Sequence, residues 1–207
     1  TVNAYYNPTT NEICFPAGIL QPPFFNPDAD DAVNYGAIGV VICHEMTHGF
    51  DDQGRLFDKD GNMTNWWTKE DSEAFAAKTK VLVEQFNKVE ILPGVFANGA
   101  ATLGENIADQ GGLRISYTAM MNSFAGNVPE PIDGFTAAQR FYLAYATVWA
   151  QNITDKEKQR RVLTDVHSIG EQRVNETLKN IGTFFDAFGI KEGDPMFRPE
   201  SERVIIW

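Results

Sequence analysis

Cysteine, basic residues and long apolar runs are all scarce in this chain. Its 207 residues include two cysteines, Cys14 and Cys43, which form no C-x-x-C pair, so there is neither a disulfide framework nor a cysteine zinc site. The sequence does not decide whether Cys14 and Cys43 form a single disulfide with each other. Lys and Arg number 17 against 28 Asp and Glu, and the net charge of −11 argues against nucleic acid or an anionic membrane as a partner. No apolar run approaches the roughly 20 residues of a membrane span, and no signal-peptide pattern opens the chain.

The rest of the composition is that of an ordinary globular protein. Hydrophobic residues make up 43% of the chain and charged residues 22%. The length suits one domain over residues 1–207 with a core of its own. Because the chain starts at Thr1 with a strand-like sequence, we expect it to be a piece of a longer parent chain.

The most informative stretch is Tyr35–Asp52, which reads YGAIGVVICHEMTHGFDD. On a helix, His44 and His48 lie one turn apart on one face and can bind a single metal ion. Glu45 points to the neighbouring side, where it can reach a water bound to that ion. Short patterns do match by chance, but two of the chain's three histidines fall here, and burying such a group uncompensated costs on the order of 2–7 kcal/mol. The pattern predicts a zinc site with a general base, on a helix that Asn34 is expected to cap.

A second stretch, Asn98–Leu113, places two carboxylates on one helix face. Glu105 and Asp109 are four residues apart. One interpretation is a capping box, since Thr102 precedes Glu105 by three residues. The other starts from the needs of a catalytic zinc ion, which takes three protein ligands and keeps one open position. No third histidine follows at the spacing of the extended H-E-x-x-H motif, so Glu105 is the best-placed third ligand.

The remaining pattern predicts a hairpin and several helices. Val2–Tyr6 and Glu12–Phe15 are rich in β-branched and aromatic residues and are separated by turn residues, which indicates a short hairpin. Thr68 and Asp71 have the spacing of a helix start, and a long helix is expected to follow. Thr136–Gln151 is a strongly apolar segment that predicts a core helix.

Four motifs in one order resemble the neprilysin family of zinc metallopeptidases. They are His44-Glu45-Met-Thr-His48-Gly-Phe-Asp51-Asp52, Gly104-Glu105-Asn-Ile-Ala-Asp109, Val2-Asn3-Ala4-Tyr5-Tyr6 and the segment from His167 to Arg173. Alone, a single histidine such as His167 is more often structural than catalytic. The resemblance covers nearly the whole chain and implies an α+β, mostly helical fold, a thermolysin-like zincin catalytic domain with a small sheet.

The resemblance implies one Zn²⁺ per chain and a role for each of ten residues. The implied zinc ligands are His44, His48 and Glu105, the general base is Glu45, the carboxylates that orient the zinc-bound imidazoles are Asp109 and Asp51, the transition-state stabiliser is His167, the cation for a substrate carbonyl is Arg173, and the edge-strand residues that pair with the peptide are Asn3 and Ala4.

The implied activity is hydrolysis of short peptides by a zinc endopeptidase. The alternatives are a catalytically silent, zinc-bound fragment that binds peptides or needs its missing N-terminal part, and a metal-free structural domain. Family members are longer, with a preceding helical region that closes over the site, so the N-terminal region of the parent chain is an expected partner. Extracellular animal members carry cysteines where this chain has Phe188-Gly189 and Ile206-Trp207. We therefore expect a bacterial protein, periplasmic or exported rather than cytoplasmic.

Overall fold

Helices dominate the computed structural model, which describes residues 1–207. The helices are α1 (Asp31–Asn34), α2 (Val40–His48), α3 (Lys69–Asn87), α4 (Leu103–Ser123), α5 (Ala137–Val148), α6 (Asp155–Thr164), α7 (Gly170–Leu178) and α8 (Gly182–Phe188). A π-helical turn, Tyr35–Gly39, joins α1 to α2. The strands are β1 (Tyr5–Asn7), β2 (Glu12–Cys14), β3 (Glu90–Leu92) and β4 (Val95–Phe96). The mostly helical fold with small sheets confirms the expected class.

The two sheets are antiparallel hairpins of two strands each. In the first, Tyr5 lies opposite Cys14 and Asn7 opposite Glu12. This confirms the predicted hairpin, although β1 begins at Tyr5 rather than at Val2. Both cysteines are free thiols, so the disulfide that the sequence left open does not form. No helix combines the length and the apolar composition that crossing a lipid bilayer requires.

The helix with the H-E-x-x-H motif starts earlier than the sequence predicts. Asp30 caps α1, and its Oδ1 accepts a hydrogen bond from the Ala32 amide at 3.1 Å. The predicted Asn34 cap is wrong because Asn34 is already inside the helical run, with helical backbone angles. Its side-chain amide instead bonds the backbone of Asn26, accepting from the amide at 3.0 Å and donating to the carbonyl at 2.8 Å. The loop before α1 is thereby tied to the helix.

The other two helix predictions are confirmed with small changes at the ends. Thr68 caps α3 by accepting from the Asp71 amide at 3.1 Å. Helix α5 starts after Thr136, which forms a reciprocal capping box with Gln139, and ends at Val148, before the predicted end at Gln151.

Helix α4 belongs to both main hydrophobic cores, so its position is fixed from two sides. The larger core combines α4 with α5, α7 and α8, and its bulkiest members are Leu113, Met120, Phe141, Tyr142, Tyr145, Leu178, Phe184 and Phe185. The smaller core consists of Phe75, Leu82, Phe86, Ile107, Val204 and Ile206. Fully burying one such side chain stabilises the fold by about 1.5–3 kcal/mol.

Helices α2 and α4 pack closely because a glycine lies at their crossing. A Cβ atom added at Gly111 would lie 2.5 Å from Thr47 Oγ1 and 2.6 Å from Thr47 Cγ2. Any side chain at that position would force the two helices apart. Their close contact brings the histidine face of α2 against the carboxylate face of α4.

Candidate metal centre

The two histidines of α2 face each other at the bottom of a cleft. His44 and His48 are one helical turn apart, and their Nε2 atoms are separated by 3.0 Å. The ring planes are almost perpendicular, at 89°. His44 is buried and His48 is half-buried, so the nitrogens that face each other are largely removed from solvent.

A carboxylate holds the other nitrogen of each imidazole. His44 Nδ1 lies 2.9 Å from Asp109 Oδ1 on α4, and His48 Nδ1 lies 2.7 Å from Asp51 Oδ2 just beyond α2. An ionised carboxylate only accepts hydrogen bonds, so Nδ1 carries the proton in each ring. In the neutral imidazoles the lone pair is then on Nε2, directed at the space between the two rings. These are the contacts that the resemblance implies for Asp109 and Asp51.

Glu105 reaches the same space from α4. Its Oε2 lies 3.3 Å from His44 Nε2, and its Oε1 lies 3.6 Å from His48 Nε2. Thr102 does not form the alternative capping box, because its hydroxyl donates to the Asn98 carbonyl and it caps no amide. Glu105 Oε2 is buried and has no hydrogen-bond partner. Burial alone would raise the pKa of Glu105, but His44, Arg173 and His48 outweigh it and lower that pKa to about 2.

These atoms fit a zinc ion. Two imidazole nitrogens and one carboxylate oxygen converge, each imidazole is oriented by a second carboxylate, and one ligand oxygen is buried without a partner. Without an ion, a proton must separate the two Nε2 atoms. Burial would lower the pKa of His44, but the neighbouring carboxylates of Asp109 and Glu105 outweigh burial and raise that pKa to about 9. A divalent cation balances the same negative charge and removes the need for that proton.

Glu45 is the second carboxylate beside the imidazole pair. A carboxylate oxygen of Glu45 and a nitrogen of each ring all lie within 4.8 Å of one another. Glu105 makes the shorter approaches, at 3.3 and 3.6 Å, so Glu105 is the better ligand and Glu45 the better neighbour of a bound water. Burial raises the pKa of Glu45, more than the nearby histidines lower it, which favours a carboxylate that takes up a proton.

Arg173 on α7 is deeply buried and bonded to Asp109. Its Nε donates to Asp109 Oδ2 and its Nη2 to Asp109 Oδ1, both at 2.7 Å. Its guanidinium stacks 3.7 Å above the Trp149 ring. Its Nη1 makes no hydrogen bond within the protein, so this is the atom left for the predicted contact with a substrate carbonyl.

His167 lies across the cleft, on the irregular segment between α6 and α7. Its Nε2 is 3.3 Å from Glu105 Oε1, and its ring is 47% exposed. Asp165 holds it from behind: Asp165 Oδ1 is 2.8 Å from His167 Nδ1 and accepts from the His167 amide at 2.9 Å. Sequence reasoning assigned no role to Asp165, although an Asp two residues before a His is a signal that could have found it.

Asn3 and Ala4 lie beside the metal centre in an extended segment before β1. Their backbone groups take part in no backbone hydrogen bond, and Ala4 is buried while Asn3 is exposed. The segment lines one side of a cleft of about 740 Å³, whose wall includes all ten residues singled out by the resemblance. The lining also includes apolar residues, among them Phe24, Val41 and Trp149. The structure brings the ten residues together, and their individual roles stay predictions.

Comparisons with known proteins extend the similarity beyond the site. Residues 3–204 match the profile of peptidase family M13. Human endothelin-converting enzyme 1 is 46% identical over 206 residues, which are 98% of this chain and 27% of that protein. The chain thus spans about a quarter of the length of the curated relatives it matches.

Solved structures show the same architecture. The zinc metalloprotease Zmp1 of Mycobacterium tuberculosis, in complex with an inhibitor, has a TM-score of 0.97 at 48% identity, covering 100% of this chain and 32% of that one. PepO from Lactobacillus rhamnosis has a TM-score of 0.89 at 35% identity, covering 100% and 31%. With a family match over nearly all of its residues, the chain belongs to peptidase family M13, the neprilysin-like zinc metallopeptidases.

Proposed function

We propose that this protein is a zinc-dependent endopeptidase that hydrolyses short peptides, with one Zn²⁺ held by His44, His48 and Glu105. The observation that carries the proposal is the convergence of these three ligand groups from α2 and α4, with a carboxylate behind each imidazole. Two nitrogens and one oxygen leave a fourth position for water, which is the arrangement of catalytic rather than structural zinc sites.

The chain's own groups supply the proton transfers. A zinc ion at this site contributes Lewis acidity and lowers the pKa of its bound water to about 7. Glu45 takes a proton from the attacking water and returns it to the leaving amine. Asp109 and Asp51 keep both imidazoles in the tautomer whose Nε2 binds the metal.

His167 stabilises the negative charge that develops on the peptide carbonyl oxygen. Asp165 accepts a hydrogen bond from His167 Nδ1, which fixes the direction of the ring, and the imidazolium form carries a second proton on Nε2. Nε2 then donates to the oxyanion in a site that is partly closed to water. Arg173 contributes Nη1 as a second donor, since its other nitrogens are bound to Asp109.

The substrate backbone binds along Asn3 and Ala4. Their free backbone groups can pair with an extended peptide as the edge of a sheet would. The apolar lining residues Phe24, Val41 and Trp149 accept a hydrophobic side chain next to the scissile bond. The cleft volume of about 740 Å³ suits a few residues of an extended chain rather than a folded protein.

The test is zinc content combined with cleavage of a short internally quenched peptide. We expect one zinc per chain and cleavage that Glu45→Gln abolishes while zinc remains. Stoichiometric zinc with peptide binding but no cleavage would favour the silent peptide-binding alternative. The next experiment would then add the remainder of the parent chain, the proposed partner, and repeat the cleavage assay. Absence of zinc after purification without chelator would overturn the proposal.

A further inference from the structure

The segment that carries His167, residues 165–169, is buried only at its C-terminal end, where Ser168 and Ile169 are enclosed while Val166 and His167 are exposed. Residues 165–169 form no helix or strand. The preceding helix α6 buries none of its residues, so no buried side chain of α6 anchors the segment from that side. Asp165 bonds His167 within the segment, which orients the ring relative to its own backbone but does not fix that backbone relative to α4.

A buried chain of hydrogen bonds makes the connection to α4. Ser168 Oγ donates to Asn106 Oδ1 at 2.8 Å, Asn106 Nδ2 donates to Thr102 Oγ1 at 2.9 Å, and Thr102 Oγ1 donates to the Asn98 carbonyl at 3.1 Å. Ser168, Asn106 and Thr102 are all buried. The Thr102 hydroxyl already donates its proton to the Asn98 carbonyl, so the side-chain NH₂ of Asn106 must donate to Thr102. The side-chain oxygen of Asn106 then faces Ser168 and is the acceptor for its hydroxyl.

The two ends of the Ser168–Asn106 bond are the sequence neighbours of two residues of the site. Ser168 follows His167, and Asn106 follows Glu105 on α4. We propose that Ser168 and Asn106 are positioning residues that hold His167 at its distance from the metal-binding carboxylate, a proposal that rests on the peptidase function above. The His167 Nε2 to Glu105 Oε1 separation of 3.3 Å is the distance that this bond maintains.

Loss of the Ser168 hydroxyl leaves the Asn106 oxygen buried without a donor. The observed position of residues 165–169 is then less stable relative to positions in which water reaches the Asn106 oxygen. The half-exposed side chain of His167 makes little packing contact that would oppose this displacement. His167 acts on charge that exists only in the transition state, so its displacement lowers kcat and leaves substrate binding nearly intact.

The experiment uses the zinc-loaded full-length protein and the variant Ser168→Ala. We expect kcat to fall about tenfold, the effect of one unsatisfied buried acceptor, with KM within about twofold and zinc content unchanged. Amide hydrogen exchange should rise in residues 165–169 and stay unchanged in α4. Ser168→Thr keeps the hydroxyl and should recover most of kcat. The matched control is Ser123→Ala, which removes a hydroxyl bonded to the Met120 carbonyl at the far end of α4 and should change neither kcat nor the exchange of the segment.

A double-mutant cycle separates positioning from general stability. In a His167→Ala background, Ser168→Ala should cause no further loss of kcat, because the residue through which it acts is gone. An equal loss in both backgrounds, or unchanged exchange of residues 165–169 in Ser168→Ala, would overturn the proposal. If the parent protein cleaves no peptide, the proposed function fails, and the exchange data alone then decide whether Ser168 holds the segment.

Discussion

Replacing Asp109 by Asn tests whether a single carboxylate serves both the metal centre and the fold. Asp109 Oδ1 receives hydrogen bonds from His44 Nδ1 at 2.9 Å and Arg173 Nη2 at 2.7 Å, and Oδ2 receives one from Arg173 Nε at 2.7 Å. An amide has one oxygen, so either orientation turns an NH₂ group towards a donor. Arg173 would also remain charged and buried after losing its nearer counter-ion, with Glu105 Oε2 at 3.6 Å as the carboxylate that remains. Breaking such a pair costs about 3–5 kcal/mol, and losing the carboxylate behind a zinc-bound imidazole lowers zinc affinity by about 10–100-fold.

Asp51→Asn is the matched control for this variant. Asp51 bonds His48 Nδ1 at 2.7 Å, as Asp109 bonds His44, but its other oxygen accepts only from the backbone amides of Gln53 and Gly54. An Asn can keep those two bonds. We therefore expect a similar loss of zinc affinity but a decrease in unfolding free energy of only about 0.5–1.5 kcal/mol, the value of one hydrogen bond.

Two measurements compare the variants: urea unfolding of the metal-free proteins and competition for zinc with a chromogenic chelator. For Asp109→Asn the lower unfolding free energy corresponds to a decrease in Tm of about 6–20 °C in a protein of this size. If both variants lose stability equally, the reasoning that assigns the difference to buried Arg173 is wrong. If zinc affinity is unchanged in both, neither carboxylate orients an imidazole as proposed.

Three other outcomes follow from the same geometry. In Glu45→Gln, metal analysis should find zinc retained and a peptide assay should find no cleavage, because the ligands remain while the base is gone. A kcat equal to that of the parent would contradict the mechanism. Glu105→Ala should purify without stoichiometric zinc, since two imidazoles alone remain, whereas zinc retention equal to the parent would point to a different third ligand. Treating the parent with a chelator should abolish cleavage and zinc should restore it; chelator-resistant cleavage would exclude a zinc-dependent reaction.

Local periodicity was sufficient for the parts of the site that lie on one helix. His44, Glu45 and His48 are fixed relative to one another by helix geometry alone, and the Asp51 contact follows only three residues later. The same local reasoning placed the cap of α3 at Thr68 correctly. It failed at the start of the H-E-x-x-H helix, since nothing in the pattern shows that the run from Asp31 continues through a π-helical turn.

Contacts between distant segments could not be read from spacing. Glu105 fitted a capping residue by its spacing, and only the need of the H-E-x-x-H pair for a third ligand favoured it as one. The Asp109–Arg173 pair joins residues 64 positions apart, and no periodic pattern connects them. Asn106 and Ser168 were missed for a related reason: short polar side chains have no period, and their bond forms only because two separate segments meet.

The distance between α2 and α4 is encoded by a residue that has no side chain. A Cβ added at Gly112 would lie 2.8 Å from the Val40 carbonyl oxygen and 3.1 Å from the His44 amide nitrogen. These are backbone atoms of α2, so the contact could be relieved only by moving the whole helix. Such a shift would carry His44 away from Glu105, whose approach of 3.3 Å leaves little room for change. The metal centre therefore depends on Gly112 as well as on its ligands, although a glycine gives a sequence pattern no chemical signal.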